Sequence, residues 1–540
     1  MSPPDAEAST VPTSTASVTT LLVLVQLISK VLTFAANQLI LRDLPPATLG
    51  VATQLELYLI TILFFSRESI RLSIQRQPLV VSIPSATVRY DIDAIDNKPD
   101  ASRQPSTQEV ESQTVVNMSY LSLGMGFLFA AILGASYFHF ASDEVSQTSS
   151  YHRSVIIITI ASLLELASEP FFNVIQRFFL YKRRALVEMS AAFIKSLVTC
   201  SIYMCGPFGN KSCIDVLPFA LGHLSYACTL LGGFFVATRK VPSEQSFSLL
   251  PTRFQSIHHG YLMNIFPWSM ISLAASVFLQ SIVKHLLTQG DSMILAAMTS
   301  LEDQGIYALA SNYGGLVARI VFQPIEESSR SFFSSLLHSS GPENQRAKNL
   351  GLAKKHLAEI LRAYGIIAAV AFPLGPALVP LVLDFIGGRS WASTKVNSLL
   401  SLYCLYIPFL AFNGISEAFV SSAASPSEVR KQALWMGGFS ACFVSAAYLF
   451  LVVCDLGAQG MIYANIVNMA IRTTWSFSFI RSFLQRRALT IELHELLPKP
   501  QTFLAGIVTS TLLMKRGSYR LNSGNIVGTV MYSALYIMIV

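Results

Sequence analysis

The residues that could do chemistry here are cations set inside apolar sequence. Lys30 lies near the middle of the apolar stretch 17–41, roughly 15 Å from either end at the 1.5 Å rise of a helix. That depth is beyond easy snorkelling to water. An unpaired cation there costs on the order of 3 kcal/mol even on the lenient insertion scale. Gln26, Lys30 and Asn37 fall on one helix face, and Gln280, Lys284 and Asp291 repeat their spacing. Asn312 and Arg319 follow, again seven apart. This pattern predicts a polar stripe shared by three helices and lining a hydrated cavity. In that cavity Lys30, Lys284 and Arg319 would bind an anionic group, with Asn37, Asp291 and Asn312 beside them. The competing reading is a buried polar network that joins helices.

A second set of charges closes apolar stretches. Arg67-Glu68-Ser69-Ile70-Arg71 ends one, and Glu327-Ser328-Ser329-Arg330 ends another. Glu68 and Arg71 are three apart, as are Glu327 and Arg330, so each couple is expected to form a local ion pair at the cytosolic boundary. A gate or hinge and a snorkelling anchor both fit these positions. Glu169 and Glu417 belong to a similar recurrence, Ser168-Glu169-Pro170-Phe171 and Ser416-Glu417-Ala418-Phe419. Pro170 is expected to kink its helix, as is Pro324 near Glu327, while Pro373, Pro376 and Pro380 crowd another stretch. Three polar signatures thus return in order at nearly constant offset, which reads as a duplicated membrane protein.

The elements that must hold these groups follow from composition. The chain has 540 residues, of which 52% are hydrophobic and 13% charged. A soluble domain would show about 25% charged residues. Fourteen apolar stretches are legible, from 17–41 to a short last pair at 501–514 and 524–540. In lipid they must be helices, because each backbone polar group needs an internal partner. The expected fold is an all-α polytopic membrane protein of about fourteen helices, with two six-helix lobes around a central cleft and two C-terminal helices. Residues 1–16 form a tail, 17–240 the first lobe, 259–481 the second, and 482–540 the helix pair. Six spans per half make the two lobes parallel copies. Residues 77–115 are expected to be a disordered cytosolic loop, with Asp91 and Asp93 in a solvated acidic linker. Residues 345–362 suit either an amphipathic helix on the cytosolic leaflet or the ordinary start of the ninth span.

Lys and Arg gather in the connections after even-numbered spans, which puts those loops and both termini in the cytosol. No cleavable signal peptide is evident, so the first span is expected to act as an uncleaved signal. The seven cysteines show no metal spacing. Cys205 and Cys213 flank one non-cytosolic loop; they either pair there or are small apolar residues near helix ends. The same loop carries Asn210-Lys211-Ser212, a glycosylation acceptor, whereas Asn117-Met118-Ser119 sits at a cytosolic edge and should stay bare. No phosphate-binding glycine loop occurs, no catalytic constellation converges and no cofactor is called for. No basic, aromatic-interleaved segment suggests nucleic acid.

The stretch from Tyr307 through Arg330, YALASNYGGLVARIVFQPIEESSR, resembles the signature segment of the Rft family, and Phe64–Arg71 resembles that family's second-span ending. The likeness covers essentially the whole chain. Members belong to the multidrug/oligosaccharidyl-lipid/polysaccharide exporter superfamily, with two six-helix lobes around a cleft. The resemblance implies flipping of dolichol-diphosphate-linked oligomannose from the cytosolic to the lumenal leaflet of the endoplasmic reticulum, in N-glycosylation. Lys and Arg would then meet the diphosphate, and Asn, Gln and aromatic residues the sugars. The implied partners are the lipid-linked oligosaccharide, the lipids of that membrane and other N-glycosylation proteins. Two alternatives stay open: an ion-coupled multidrug antiporter using Glu56, Glu165 or Glu169, and a non-transporting accessory of the pathway. A membrane glycosyltransferase fits least, because the lumenal connections are short.

Overall fold

The computed structural model describes residues 38–42, 44–76, 107–139, 141–148, 150–205, 215–241, 247–254, 261–338, 342–386, 391, 393–491 and isolated residues between 496 and 536. In chain order the helices are α1 (Pro46–Gln75), α2 (Thr107–His139), α3 (Asp143–Ser146), α4 (Tyr151–Ala167), α5 (Glu169–Arg177), α6 (Tyr181–Cys205) and α7 (Leu217–Thr238). After a small antiparallel ribbon, β1 (Tyr261–Leu262) and β2 (Phe266–Pro267), come α8 (Trp268–Met298), α9 (Leu301–Val317), a π-helical turn (Ala318–Phe322), α10 (Gln323–Leu337) and α11 (Glu343–Ile386). The series continues with α12 (Thr394–Ala423), α13 (Pro426–Tyr448), a second π-helical turn (Leu449–Val453) and α14 (Gly457–Gln485). Among the described residues nine helices are long and apolar enough to cross a membrane. The stretches expected as spans eight and twelve are helical but are not among those nine. Span one lies outside the described residues except for 38–41, as do the tail 1–16 and most of the C-terminal pair.

The chain forms two compact units. One holds residues 55–289 with the N-terminal residues to 40; the other holds 41–54 and 290 onward. Two helices are therefore divided. The first turns of α1 pack in the second unit, and the first two-thirds of α8 pack in the first. In the first unit α7 packs on both α4 and α6, and α2 on α4 and α5. In the second, α12 is the hub, touching α9, α10, α11 and α14. Its core gathers Phe333, Leu357, Tyr364, Ile415, Phe419 and Phe483.

Several expectations change. Residues 107–115, assigned to a disordered loop, are the first turns of α2. Their polar composition imitates a linker, but Ser112, Gln113 and Thr114 are buried, and Gln113 and Glu111 are bonded. Gln113 donates to the carbonyl of Leu250 and Asn117 to those of Thr252 and Ile265, while Glu111 pairs with Arg177 at 2.7 Å. The rest of the loop, 77–106, lies outside the described residues. Residues 345–362 do not lie apart on a leaflet; they are the start of the 44-residue helix α11, with Leu350, Leu357 and Leu361 buried in the second unit's core. The helix runs unbroken through Pro373, Pro376 and Pro380. Pro170 does interrupt its span, since α4 stops at Ala167 and α5 restarts at Glu169. Pro324 follows the π turn at Ala318–Phe322; lacking an N–H, it cannot close a normal helical bond back to Ile320.

One crossing depends on the absence of side chains. A Cβ on Gly50 would strike the carbonyl of Leu301, and one on Gly305 that of Pro46. The start of α1 and the start of α9 thus meet backbone to backbone, the small-residue contact common in membrane bundles. Gly305→Ala is expected to destabilise the protein by about 1–3 kcal/mol through overpacking. Gly290→Ala, whose Cβ would meet nothing within 4 Å, should leave thermal melting of the detergent-solubilised protein unchanged or raised.

Candidate functional site

The polar residues of the first unit assemble on α1. Arg67 and Arg71 are four apart, on one face, and that face meets α4 and α5. Arg67 Nη1 donates to Glu165 Oε1 at 2.6 Å and lies 3.6 Å from Glu169 Oε1. Arg71 grips Glu169 with both sides of its fork, Nε to Oε2 at 2.7 Å and Nη2 to Oε1 at 2.6 Å. Such bidentate, charge-assisted pairs are the strong and directional ones. Glu165 and Glu169 are buried, Glu169 completely. The Phe172 ring completes the cluster, with the guanidinium carbons of Arg71 and Arg184 at 3.9 and 4.7 Å from its centroid. Arg184 also bonds Glu188 and Gln176.

The local Glu68–Arg71 pair expected from spacing is not what forms. Arg71 turns to Glu169, and Glu68 turns to Lys284 of α8, with Nζ to Oε1 at 2.6 Å. The reason is geometric. Burying two carboxylates on α4 and α5 demands two cations from α1. Glu68, next to Arg67 and roughly 100° further around the helix, is left to face α8. α1 continues four residues past Arg71, to Gln75.

Lys284 sits in the middle of α8, about 24 Å along the axis from Trp268 and about 21 Å from Met298 at 1.5 Å per residue. Its side chain is 57% exposed despite the ion pair, and its ammonium lies 5.8 Å from the Phe64 ring centroid. The next residue, His285, is fully buried between Phe64 and Phe65 and bonds Thr61 through Nε2 at 3.1 Å.

Asp291, further along α8, belongs to the second unit. There Asn465 of α14 donates to the Tyr307 hydroxyl at 3.0 Å, and that hydroxyl donates to Asp291 Oδ2 at 3.0 Å. Lys284 and Asp291 share a helix but serve different units. Asn312 is exposed on α9. Arg319 lies in the π turn, a rare form often met at functional positions; its side chain is outside the described residues, as are Lys30, Asn37 and Asn210.

The second unit reuses the motif positions with other chemistry. Glu417 is held by Arg472 of α14 through two bonds, 2.6 and 3.1 Å. Glu327 accepts from Gln323 rather than from Arg330, and the Arg330 carbonyl accepts from Ser422. Aligned on Glu68/Glu327 and Glu169/Glu417, Arg67 is matched by Glu326 and Glu165 by Asn413. The Glu326 carboxylate lies directly against Gly414, where any Cβ would strike it. Sequence reasoning missed Arg472, Glu326, His285, Tyr307 and Asn465. Arg472 alone had a usable signal, an isolated cation deep in an otherwise uncharged stretch. A polar cleft of about 290 Å³ also opens in this unit, where Asp303, Lys395, Asp455 and Gln459 meet.

A family model described as Rft protein matches residues 13–540. The Man(5)GlcNAc(2)-PP-dolichol translocation protein RFT1 of Yarrowia lipolytica is 33% identical over 513 residues, covering 91% of this chain and 73% of that protein. Lipid II flippase MurJ in its inward closed conformation superposes with a TM-score of 0.57 at 12% identity, over 96% of this chain and 97% of that one. An inward-facing multidrug resistance MATE family transporter of the MOP superfamily gives 0.54 at 13% identity, over 84% and 95%. At such identity these two structures speak for the fold.

Arg71→Ala would leave the buried Glu169 charge with the longer 3.6 Å contact to Arg67 and is expected to cost about 3 kcal/mol. Arg71→Ala with Glu169→Ala should cost clearly less than the two single losses added. Melting temperatures of the four proteins check this; strict additivity would mean that the pair carries no coupling.

Proposed function

The chain belongs to the Rft protein family, and from that premise we propose that it moves dolichol-diphosphate-linked oligomannose from the cytosolic to the lumenal leaflet of the endoplasmic reticulum membrane, by alternating access, in N-glycosylation. It is a multi-pass membrane protein with the fold of MurJ and MATE transporters. In this reading both termini face the cytosol and the protein carries out no covalent chemistry. The relative from Yarrowia is named for the same cargo.

The observation that carries the reading is Lys284. An ammonium at mid-helix, ion-paired yet more than half exposed, would be costly against hydrocarbon. The surface it faces is therefore wet. An arriving diphosphate would compete with Glu68 for that ammonium, and the exchange of one anion for another keeps the cation paired throughout. Arg319 and Lys30 are the further cations this reading assigns to the cargo. Drug–proton antiport fits less well. Of the first-unit carboxylates it would use, Glu165 and Glu169 are already engaged by Arg67 and Arg71, which leaves Glu56, exposed on α1.

Purified protein in vesicles with labelled oligomannosyl-diphosphodolichol is expected to speed transbilayer movement of the lipid. Lys284→Gln should slow it on the order of tenfold, equivalent to ~1.4 kcal/mol, with the melting temperature nearly kept. Unchanged movement after neutralising Lys30, Lys284 and Arg319 together would sink the site assignment. Topology has its own check. Asn210→Gln should abolish a glycosidase-sensitive mobility shift, while Asn117, whose amide is fully buried and bonded to Thr252 and Ile265, should contribute none.

A further inference from the structure

A groove of about 400 Å³ runs between α13 and α14 on the second unit, lined by Trp435, Phe439, Ile471, Thr474, Trp475 and Ser478. Three of its lining residues, Trp435, Phe439 and Trp475, are aromatic. Trp435 stacks on Phe439 at 6.1 Å, and Phe439 meets Trp475 edge to face at 6.2 Å. Trp475 stacks on Phe479 at 6.1 Å, and Phe479 on Phe483 at 6.1 Å. The Arg487 guanidinium then covers Phe483 at 3.8 Å from its centroid. The ladder thus leads from the groove to a cationic end. Beside the groove Gly437 and Gly438 face open space, where an added Cβ would meet nothing within 4 Å. Trp435 is more than half exposed.

The cationic end is where α13 begins and α14 stops. Arg486 reaches Glu428 across that junction at 2.8 Å, which fixes the two helix ends together. Arg430, Lys431, Arg481, Arg486 and Arg487 are all exposed there. Glu428 is the one acid on α13 or α14 among them. From Trp475 to Arg486 is about 17 Å along the helix axis at 1.5 Å per residue. Among the described residues of 426–491, the apolar slot ends in five exposed cations against one acid at that end, Glu428, a pattern complementary to an amphiphile with a densely anionic head.

We propose that this groove docks the chain of a polyisoprenyl-diphosphate lipid, with its diphosphate held by Arg481, Arg486, Arg487 and the neighbouring Arg430 and Lys431. This rests on the reading that the protein handles such a lipid, and it assigns a second position for it, apart from Lys284. Diphosphate suits the cluster better than a phosphodiester does. It offers more oxygens to several guanidinium forks and more charge to a cluster in excess by several units. A methyl-branched, unsaturated chain suits aromatic walls, whose faces take C–H groups along their whole length.

The test uses the full chain in phosphatidylcholine nanodiscs and a polyprenyl diphosphate carrying a diazirine in its first isoprene units. After irradiation, labelled peptides are mapped by mass spectrometry. Label is expected on residues 435–439 and 470–478. Unlabelled polyprenyl diphosphate should displace it at a concentration at least about tenfold below that of phosphatidylserine. Trp435→Leu with Trp475→Leu keeps the surface apolar and should lower labelling about fivefold. Arg481→Gln with Arg487→Gln should raise the displacing concentration about tenfold, with the chromatographic profile unchanged. Equal displacement by phosphatidylserine would mean an ordinary lipid annulus and overturn the proposal, as would label confined to other helices. Groove labelling together with protein-independent lipid movement in vesicles would sink the translocation reading and leave the docking site standing. Protein-dependent movement without groove labelling would do the reverse.

Discussion

Two carboxylates inside a helical bundle constrain much of the first unit. Glu165 and Glu169 are buried where α4 gives way to α5. A buried charge without a partner costs more than most folds can spare, so α1 must present cations to them. Arg67 and Arg71 do so from one face, and the bidentate grip of Arg71 fixes the rotation of α1 about its own axis. Once that rotation is set, Glu68 has one direction left, toward α8. Lys284 is then held at mid-helix by a carboxylate whose position it did not choose. The exposed cation at mid-helix is thus a consequence of an interaction between other residues.

The second unit shows that duplication preserved positions more than interactions. Glu417 keeps its place, but its cation comes from Arg472 on α14 rather than from the Arg-bearing helix of the motif. Where the first unit sets Arg67 against Glu165, the matched positions hold Glu326 and Asn413, and Gly414 gives Glu326 room against α12. The first cluster is balanced, two cations to two anions. The second carries Glu326 and Glu417 beside Arg472 and Arg330, with Glu327 in addition. The two units thus answer the same recurring positions with different charge.

Much of this was legible in the sequence because membranes simplify it. Apolar length marks helices, and a charge within such a stretch stands out against its surroundings. Lys284, Glu68, Glu169 and Glu417 were therefore found from types and spacing alone. Their partners were not. Spacing along one helix favours the i, i+3 partner, and the pull of a buried carboxylate on another helix has no local trace. Residues 107–115 misled for a related reason. Ser112 and Gln113 look like linker composition, yet both are buried in a helix, and Gln113 bonds to the carbonyl of Leu250, more than a hundred residues away. Glu326 was passed over because its neighbour Glu327 carried the recurring motif.

The helices α1 and α8 are the two that divide between the units, and Glu68–Lys284 is an ion pair between these same two helices. At their far ends Gly50 of α1 rests on Leu301, and Asp291 of α8 is tethered through Tyr307 to Asn465. Each helix thus spends its residues on two surroundings. In the first unit α1 gives Glu68 and α8 gives Lys284 to one ion pair, while in the second α1 gives the bare backbone at Gly50 to a close crossing and α8 gives Asp291 to the bonds of Tyr307 and Asn465. A helix that serves two surroundings must satisfy both with one rotation about its axis, so the position of Lys284 and that of Asp291, seven residues on, are fixed together.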